Sequence, residues 1–180
     1  MKTKMKFMLI SMLAMTLLFT ACGNNNNEDN EANGNDNADV VTSASLVNDA
    51  EGFMNGVSDK GTWIVSILND VTIDEDVVVA GTFHDKDDAN SDIYRKIALY
   101  AQDDDRNVTA EYTLTVPTLT IQSENVNLQG GTVKGDVIVE ADGFSLHETT
   151  TIDGDLLFAN EDYEASATID GDVTGATEVQ

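Results

Sequence analysis

Two copies of the pentapeptide Thr-Ile-Asp-Gly-Asp, beginning 17 residues apart, place paired carboxylates around a glycine late in the sequence. If the copies stack on adjacent turns of the chain, Asp153 lies beside Asp170, and Asp155 lies beside Asp172. Ca²⁺ prefers roughly six to eight carboxylate and carbonyl oxygens, so such a ladder would suit it. No complete calcium-loop pattern accompanies the pairs. This favours solvated turn residues and leaves weak Ca²⁺ binding at these four aspartates as the alternative.

The other residue types that carry chemistry form no recognisable pattern. His84 and His147 are far apart, and neither belongs to a metal-binding spacing. No nucleophile elbow or phosphate-binding loop occurs. β-Helical polysaccharide lyases generally need cationic groups, and only six Lys and Arg residues follow the first ten residues. We therefore expect no catalytic site and no cofactor apart from weak Ca²⁺. A small β-helical polysaccharide-active enzyme is an alternative.

The first residues predict export and lipid anchoring. Three lysines precede an apolar run, which is the order of a signal peptide over residues 1–21. Small Thr20 and Ala21 then precede Cys22, an arrangement that resembles the lipobox of bacterial lipoproteins. The resemblance implies cleavage before Cys22 and acylation of that residue. We expect a protein held at the cell membrane by lipid and facing away from the cytoplasm.

The charge of the chain excludes one class of partner. The sequence has 33 acidic residues against nine Lys and Arg, and a net charge of −24. Such a surface repels nucleic acid over a Debye length of about 8 Å at physiological salt. It also repels anionic headgroups, so the lipid would have to hold the protein at the membrane. We expect no nucleic-acid binding.

Two segments precede the main domain in this interpretation. Residues 22–41 are rich in Asn and acids, and Gly23 to Asp39 contain no apolar side chain larger than Ala, which predicts a disordered tether after the lipidated Cys22. Apolar residues then recur at helical spacing, which predicts an amphipathic capping helix over residues 42–60. Ser43 or Thr42 is the predicted N-cap.

The period changes to two over residues 61–180, which predicts an all-β domain. The segments beginning at Thr132, Thr151 and Thr168 align, with glycines at 135, 154 and 171. A degenerate copy begins at Thr72. A module of 17–19 residues with glycine-marked corners is typical of a β-solenoid, in which successive turns stack about 4.8 Å apart. An antiparallel β-sandwich is the alternative.

The repeated xGDVxV pattern resembles the bactofilin, or polymer-forming, families, whose members are small right-handed β-helices. From "GTWIVSI" to the final "TEVQ", the chain is also similar to uncharacterised secreted lipoproteins of clostridial-type Gram-positive bacteria. The first resemblance covers only the last third of the sequence, and the second implies no known activity. Bactofilins are cytoplasmic and lack an export signal, so their cytoskeletal role does not carry over.

These features together predict a non-enzymatic, lipid-anchored surface protein with a structural or interaction role and an unidentified partner in the cell envelope. A solenoid exposes strand edges at each end unless it is capped. The predicted helix covers one end. For the other end, the sequence predicts either a folded-over tail with Val179 as a plug or self-association through that end. A Ca²⁺- or carbohydrate-binding surface module is the alternative function.

Overall fold

The computed structural model describes residues 44–180. The signal peptide predicted for residues 1–21, the predicted lipidation of Cys22 and the predicted tether over residues 22–41 lie outside the described residues. Among residues 44–180, no helix is both long enough and apolar enough to cross a membrane.

The described chain is mostly β-structure and forms two large parallel sheets with a small hairpin. The six-stranded sheet contains β1 (Ala44–Val47), β2 (Ile64–Ile67), β5 (Arg95–Ala98), β9 (Val126–Gln129), β11 (Ser145–Leu146) and β14 (Thr168–Ile169). The eight-stranded sheet contains β3 (Val71–Thr72), β4 (Val77–Val79), β8 (Thr113–Ile121), β10 (Thr132–Val139), β12 (Thr151–Asp153), β13 (Leu156–Phe158), β15 (Asp172–Val173) and β16 (Thr177–Val179). The antiparallel hairpin is β6 (Tyr100–Gln102) with β7 (Val108–Glu111).

From β2 onward, the chain alternates between the two large sheets. We call one segment in the six-stranded sheet, together with the segment that follows it in the eight-stranded sheet, a pass. Residues 64–179 make five passes. Each pass pairs in parallel with the next, as in the row Leu114, Val133, Ile152 and Val173. Because every strand pairing in the two large sheets is parallel, the antiparallel sandwich alternative is wrong.

The core lies between the two sheets and is built from alternate residues of each strand. Alternate side chains of the segments beginning at Thr132 and Thr151 have no exposed surface, as the predicted period of two requires. They are Val133, Val137, Val139, Ile152, Leu156 and Phe158. Fully burying an aliphatic or phenyl side chain contributes about 1.5–3 kcal/mol, so these rows hold successive passes together.

The helix predicted for residues 42–60 is shorter than expected. Residues 44–47 form β1, which pairs in parallel with β2, and helix α1 spans Ala50–Val57. Its N-cap is Asp49, whose side chain accepts a hydrogen bond from the Gly52 N–H at 2.8 Å. The apolar residues before Asp49 fit a helical stripe, but strand pairing determines their conformation. Helix α1 packs on β1, β2 and β4 and fully buries Phe53 and Val57.

Two local features differ from the sequence pattern. A second helix, α2 (Glu161–Ser166), begins after Asn160, whose side chain accepts a hydrogen bond from the Tyr163 N–H. This helix is only about one and a half turns long, so it has no apolar stripe from which the sequence could have predicted it. The alternation from Val108 to Val116 also suggests one strand, yet it divides into β7 and β8. Val108 therefore lies on the hairpin with 52% of its surface exposed.

Candidate functional site

The second copy of the Thr-Ile-Asp-Gly-Asp pentapeptide is divided between the two sheets. Its Thr168 and Ile169 pair with Ser145 and Leu146 in the six-stranded sheet. Its Asp172 pairs with Thr151 in the eight-stranded sheet. The aligned inward residues of the last three passes are therefore 19 and 21 residues apart, and the predicted 17-residue spacing is wrong.

This register separates the predicted calcium ligands. Asp153 lies beside Thr174, whose hydroxyl donates to the Asp153 carboxylate at 3.2 Å. Asp155 lies beside the corner of the last pass and accepts a hydrogen bond from the Ala176 N–H at 2.7 Å. Asp170 and Asp172 therefore do not stack on Asp153 and Asp155, because they belong to a different part of the pass. The carboxylate ladder on which the Ca²⁺ prediction depended is wrong.

The described residues offer no replacement for that ladder. Residues 44–180 contain no group of three or more His, Cys, Asp or Glu side chains that could hold a metal ion. Nδ1 of His84 forms a 2.7 Å hydrogen bond with the Ser91 carbonyl, and Nδ1 of His147 lies 2.9 Å from the Thr149 hydroxyl. Each imidazole therefore organises its own loop.

Two of the Gly-Asp steps instead form tight corners at Gly135 and Gly154, and Gly175, which precedes Ala176, continues the column where Gly171 was expected. Gly135 has a φ of 137°, and a Cβ atom there would overlap the Val116 carbonyl oxygen. A Cβ atom at Gly154 would overlap the Gly135 carbonyl oxygen in the same way. The repeated glycines are needed because each corner lies directly against the backbone of the previous one.

The aspartate after each of the first two corner glycines holds the next corner in place. The Asp136 carboxylate accepts a hydrogen bond from the Asp155 N–H at 2.9 Å, and Asp155 does the same for the Ala176 N–H. Ala176 occupies the corresponding position in the last pass of residues 44–180. These aspartates therefore have a structural role. The degenerate copy that begins at Thr72 has Glu75 in place of the glycine. Its bend between β3 and β4 is wider and exposed, so a side chain fits there.

Arg95 is a buried cation that sequence reasoning missed. The side chain has no exposed surface, and its guanidinium stacks 4.1 Å from the centre of the Phe83 ring. It donates hydrogen bonds to the carbonyl oxygens of Gly56 and Ser58 at 2.8 and 3.1 Å, and also to the Ala80 carbonyl and the Ser123 hydroxyl. Burial lowers the pKa of Arg95 to about 10, so it keeps its charge at neutral pH.

A sequence signal for Arg95 did exist. Arg95 shares an inward-facing alternation with Ile97 and Leu99, both of which are fully buried. A charged residue at an inward strand position is expected only where hydrogen bonds satisfy it. The hydrogen-bond partners of Arg95 lie in α1 and in turns that are far away in the sequence. The sequence could therefore indicate that Arg95 is buried, but it could not identify these partners.

A polar groove runs along the outer face of the six-stranded sheet beside the loop 84–92. It has a volume of 1090 Å³, and its lining includes Asp92, Tyr94, Asn125, Asn127 and Ser145. The Asn127 amide donates to the Tyr94 hydroxyl at 3.2 Å, while its own Oδ1 atom is buried without a hydrogen-bond partner. Amide, hydroxyl, carboxylate and aromatic groups therefore meet in one concave surface.

The five passes together form a stack, and the two ends of this stack are covered unequally. At the end near residue 44, α1 buries Phe53 and Val57 against the first strands. At the other end, Ile169 is 37% exposed, and Val173 and Val179 are half-buried, although they occupy inward positions. Val179 completes β16 against β13, so the predicted folded-over tail is wrong. The last pass leaves an apolar surface and two sheet edges uncovered by residues 44–180.

Comparisons of the chain with protein-family models, with curated proteins and with solved structures found no match.

Proposed function

We propose that the chain is a lipid-anchored cell-surface β-solenoid with a non-enzymatic interaction role, and that its last pass is the contact surface. The solenoid part is supported by five passes that alternate between two sheets in matched parallel registers. The resemblance of the repeat to bactofilins supports only the proposed fold and is not used to argue the function. The anchor part is supported by the leader and Cys22 in the sequence.

The unequal cover of the two ends carries the functional part of the proposal. Exposed parallel edges present unpaired N–H and C=O groups that readily pair with another chain, and proteins usually cover them. Here helix α1 covers one end, whereas Ile169, Val173 and Val179 remain partly exposed at the other. An edge left open beside apolar side chains suits strand addition by a partner.

Photo-crosslinking on intact cells tests this function. A photoreactive phenylalanine at position 169 is expected to give discrete adducts, either with another protein or with a second copy. The matched control is position 78, because Val78 is similarly exposed, at 44%, but lies on the outer face of the stack. Equal adduct yields at the two positions, or none at either, would overturn the proposed contact surface.

The location is tested separately through the proposed acylation site. Replacing Cys22 with Ser is expected to move the protein from the membrane fraction to the soluble fraction or the medium, because the modified residue is removed. Retention of Cys22→Ser in a washed membrane fraction would contradict the anchor. The crosslinking result at Ile169 does not depend on this outcome.

The polar groove favours a second candidate function, the binding of a neutral saccharide. Sugar hydroxyls pair well with planar amides and carboxylates, and aromatic rings pack on their apolar faces. Tyr94 and Asn127 supply these groups on one surface. The two carboxylates of the groove, Asp85 and Asp92, are solvent-accessible, whereas the general acid of a glycosidase needs a desolvated environment. This favours binding over hydrolysis.

Calorimetry with chitohexaose and cellohexaose tests this candidate. We expect weak binding of at least one oligosaccharide, and loss of that binding in Asn127→Ala. The matched control is Asn107→Ala, because Asn107 lies in the turn between β6 and β7, away from the groove. No heat with either sugar, or an equal effect of both substitutions, would reject saccharide binding in the groove.

A further inference from the structure

The last pass offers an ordered row of backbone groups that have no partner among residues 44–180. In β15, the Asp172 N–H donates to the Thr150 carbonyl of the previous pass at 3.0 Å, and just after β15 the Thr174 N–H donates to the Ile152 carbonyl at 2.9 Å. Alternation along a strand therefore directs the Val173 N–H away from the previous pass, toward the open edge. Just after β16, the Gln180 N–H donates to the Phe158 carbonyl at 2.9 Å, which directs the Val179 N–H toward the open edge in the same way. An added strand would find donors and acceptors already aligned.

The side chains of this edge alternate between apolar and acidic. Val173 and Val179 point toward the partly covered core, while their neighbours Asp172 and Glu178 point outward and are exposed. A strand added at about 4.8 Å would continue both rows. Its inward residues should therefore be apolar, and its outward residues would lie beside the two carboxylates.

Charge decides what kind of strand fits. Residues 135–180 contain 12 acidic residues and no Lys or Arg. Two unit charges about 4.8 Å apart interact with roughly 0.9 kcal/mol in bulk water, and more strongly where water is partly excluded. A second copy of this end would add its own carboxylates to the edge, whereas a strand with Lys or Arg at the outward positions would pair with Asp172 and Glu178.

The corner column also disfavours continuation of the stack by another corner of the same kind. Asp136 and Asp155 each accept the N–H of the following corner. Ala176 occupies that position in the last pass and has no side-chain acceptor. A further corner of the same kind placed there, as in a second copy of the stack, would lose this hydrogen bond.

We infer that the edge of the last pass binds an extended basic peptide segment of a partner protein, in which apolar residues alternate with Lys or Arg. This rests on the proposed function and names the class of partner. The segment adds to β15 and β16, covers Val173 and Val179 with its apolar residues, and pairs its cations with Asp172 and Glu178. Backbone pairing supplies affinity, and the charge pattern supplies selectivity.

Fluorescence anisotropy with two designed peptides tests the inference on the full chain in mild detergent. One nine-residue capped peptide alternates Lys with Val, and the other alternates Glu with Val. We expect the Lys peptide to bind at least tenfold more tightly at 0.15 M NaCl. We also expect bound peptide to protect the Val173 and Val179 amides from hydrogen exchange, because they become paired.

Charge-reversal variants separate edge binding from general attraction to an acidic protein. Asp172→Lys with Glu178→Lys is expected to weaken binding of the Lys peptide at least tenfold. Glu111→Lys with Glu124→Lys changes the net charge equally at exposed positions away from the edge and should alter binding less than twofold. Equal losses in the two double variants would overturn the inference, because binding would then follow net charge alone.

The outcomes also separate this inference from the proposed function. If neither peptide binds but the chain dimerises and Ile169 crosslinks to a second copy, the basic partner is rejected and the contact surface stands. If neither peptide binds, sedimentation shows a monomer and Ile169 gives no adduct, both proposals fail. Tighter binding of the Glu peptide would reject the charge argument alone.

Discussion

The guanidinium of Arg95 donates a 2.8 Å hydrogen bond to the carbonyl oxygen of Gly56, in the last turn of α1. A helix C-terminus carries partial negative charge and unpaired carbonyls, so a cation is well placed there. The same side chain bonds to the Ala80 carbonyl and to Ser123, in two turns of the stack. Arg95 therefore fastens the capping helix to the first passes.

Replacing Arg95 with Met should lower the free energy of unfolding by about 2–4 kcal/mol, because the buried Gly56 carbonyl and the partly buried Ser58 and Ala80 carbonyls lose their donor. Urea unfolding measures this change, and hydrogen exchange should show α1 opening first. Lys96→Met is the control. Lys96 makes a single hydrogen bond, to the Tyr100 hydroxyl, so its loss should cost no more than about 1 kcal/mol. Similar losses in the two variants would contradict the role of Arg95.

Replacing Asp155 with Ala should loosen the last pass, because the Ala176 N–H loses its 2.7 Å acceptor. A hydrogen bond to a charged group contributes about 1.5–3 kcal/mol, so the Ala176 amide should exchange roughly tenfold faster or more. Asp170→Ala is the matched control, because that exposed carboxylate makes no side-chain hydrogen bond within residues 44–180. Unchanged exchange in Asp155→Ala would show that the corner hydrogen bond contributes nothing to stability.

Replacing Gly135 with Ala should be severely destabilising, by about 3 kcal/mol or more. The residue has a φ of 137°, and the added Cβ atom would overlap the backbone of the previous corner. Denaturant unfolding of this variant can be compared with Lys134→Ala, the adjacent exposed position, which should change stability by less than about 0.5 kcal/mol. A stable Gly135→Ala protein would mean that the corners can relax.

Added Ca²⁺ should stabilise the chain no more than Mg²⁺ at the same concentration. The predicted ladder of Asp153 with Asp170 and Asp155 with Asp172 does not form, so only general screening of the net charge of −24 remains. Thermal unfolding in each salt, with NaCl at matched ionic strength, measures the difference. A stabilisation specific to Ca²⁺ that is lost in Asp170→Asn would restore a calcium site.

Local patterns in the sequence were enough to predict many of the buried strand positions and two of the corners. Alternation alone identified Val133 and Ile152 as buried, because residues two apart on a strand share a face. The Gly-Asp repeat marked the corners at Gly135 and Gly154, because glycine is required where two backbones meet closely. These features depend on neighbouring residues, so a single sequence contains them.

Only the tertiary structure decided which repeats lie over one another. The last Thr-Ile-Asp-Gly-Asp matches the previous one letter for letter, yet Ile169 stacks on Leu146, and Val173 stacks on Ile152. The partners of Arg95 were hidden for the same reason. Register and buried contacts are set by which faces of distant strands meet around a shared core, and that competition is not recorded in any short segment of the chain.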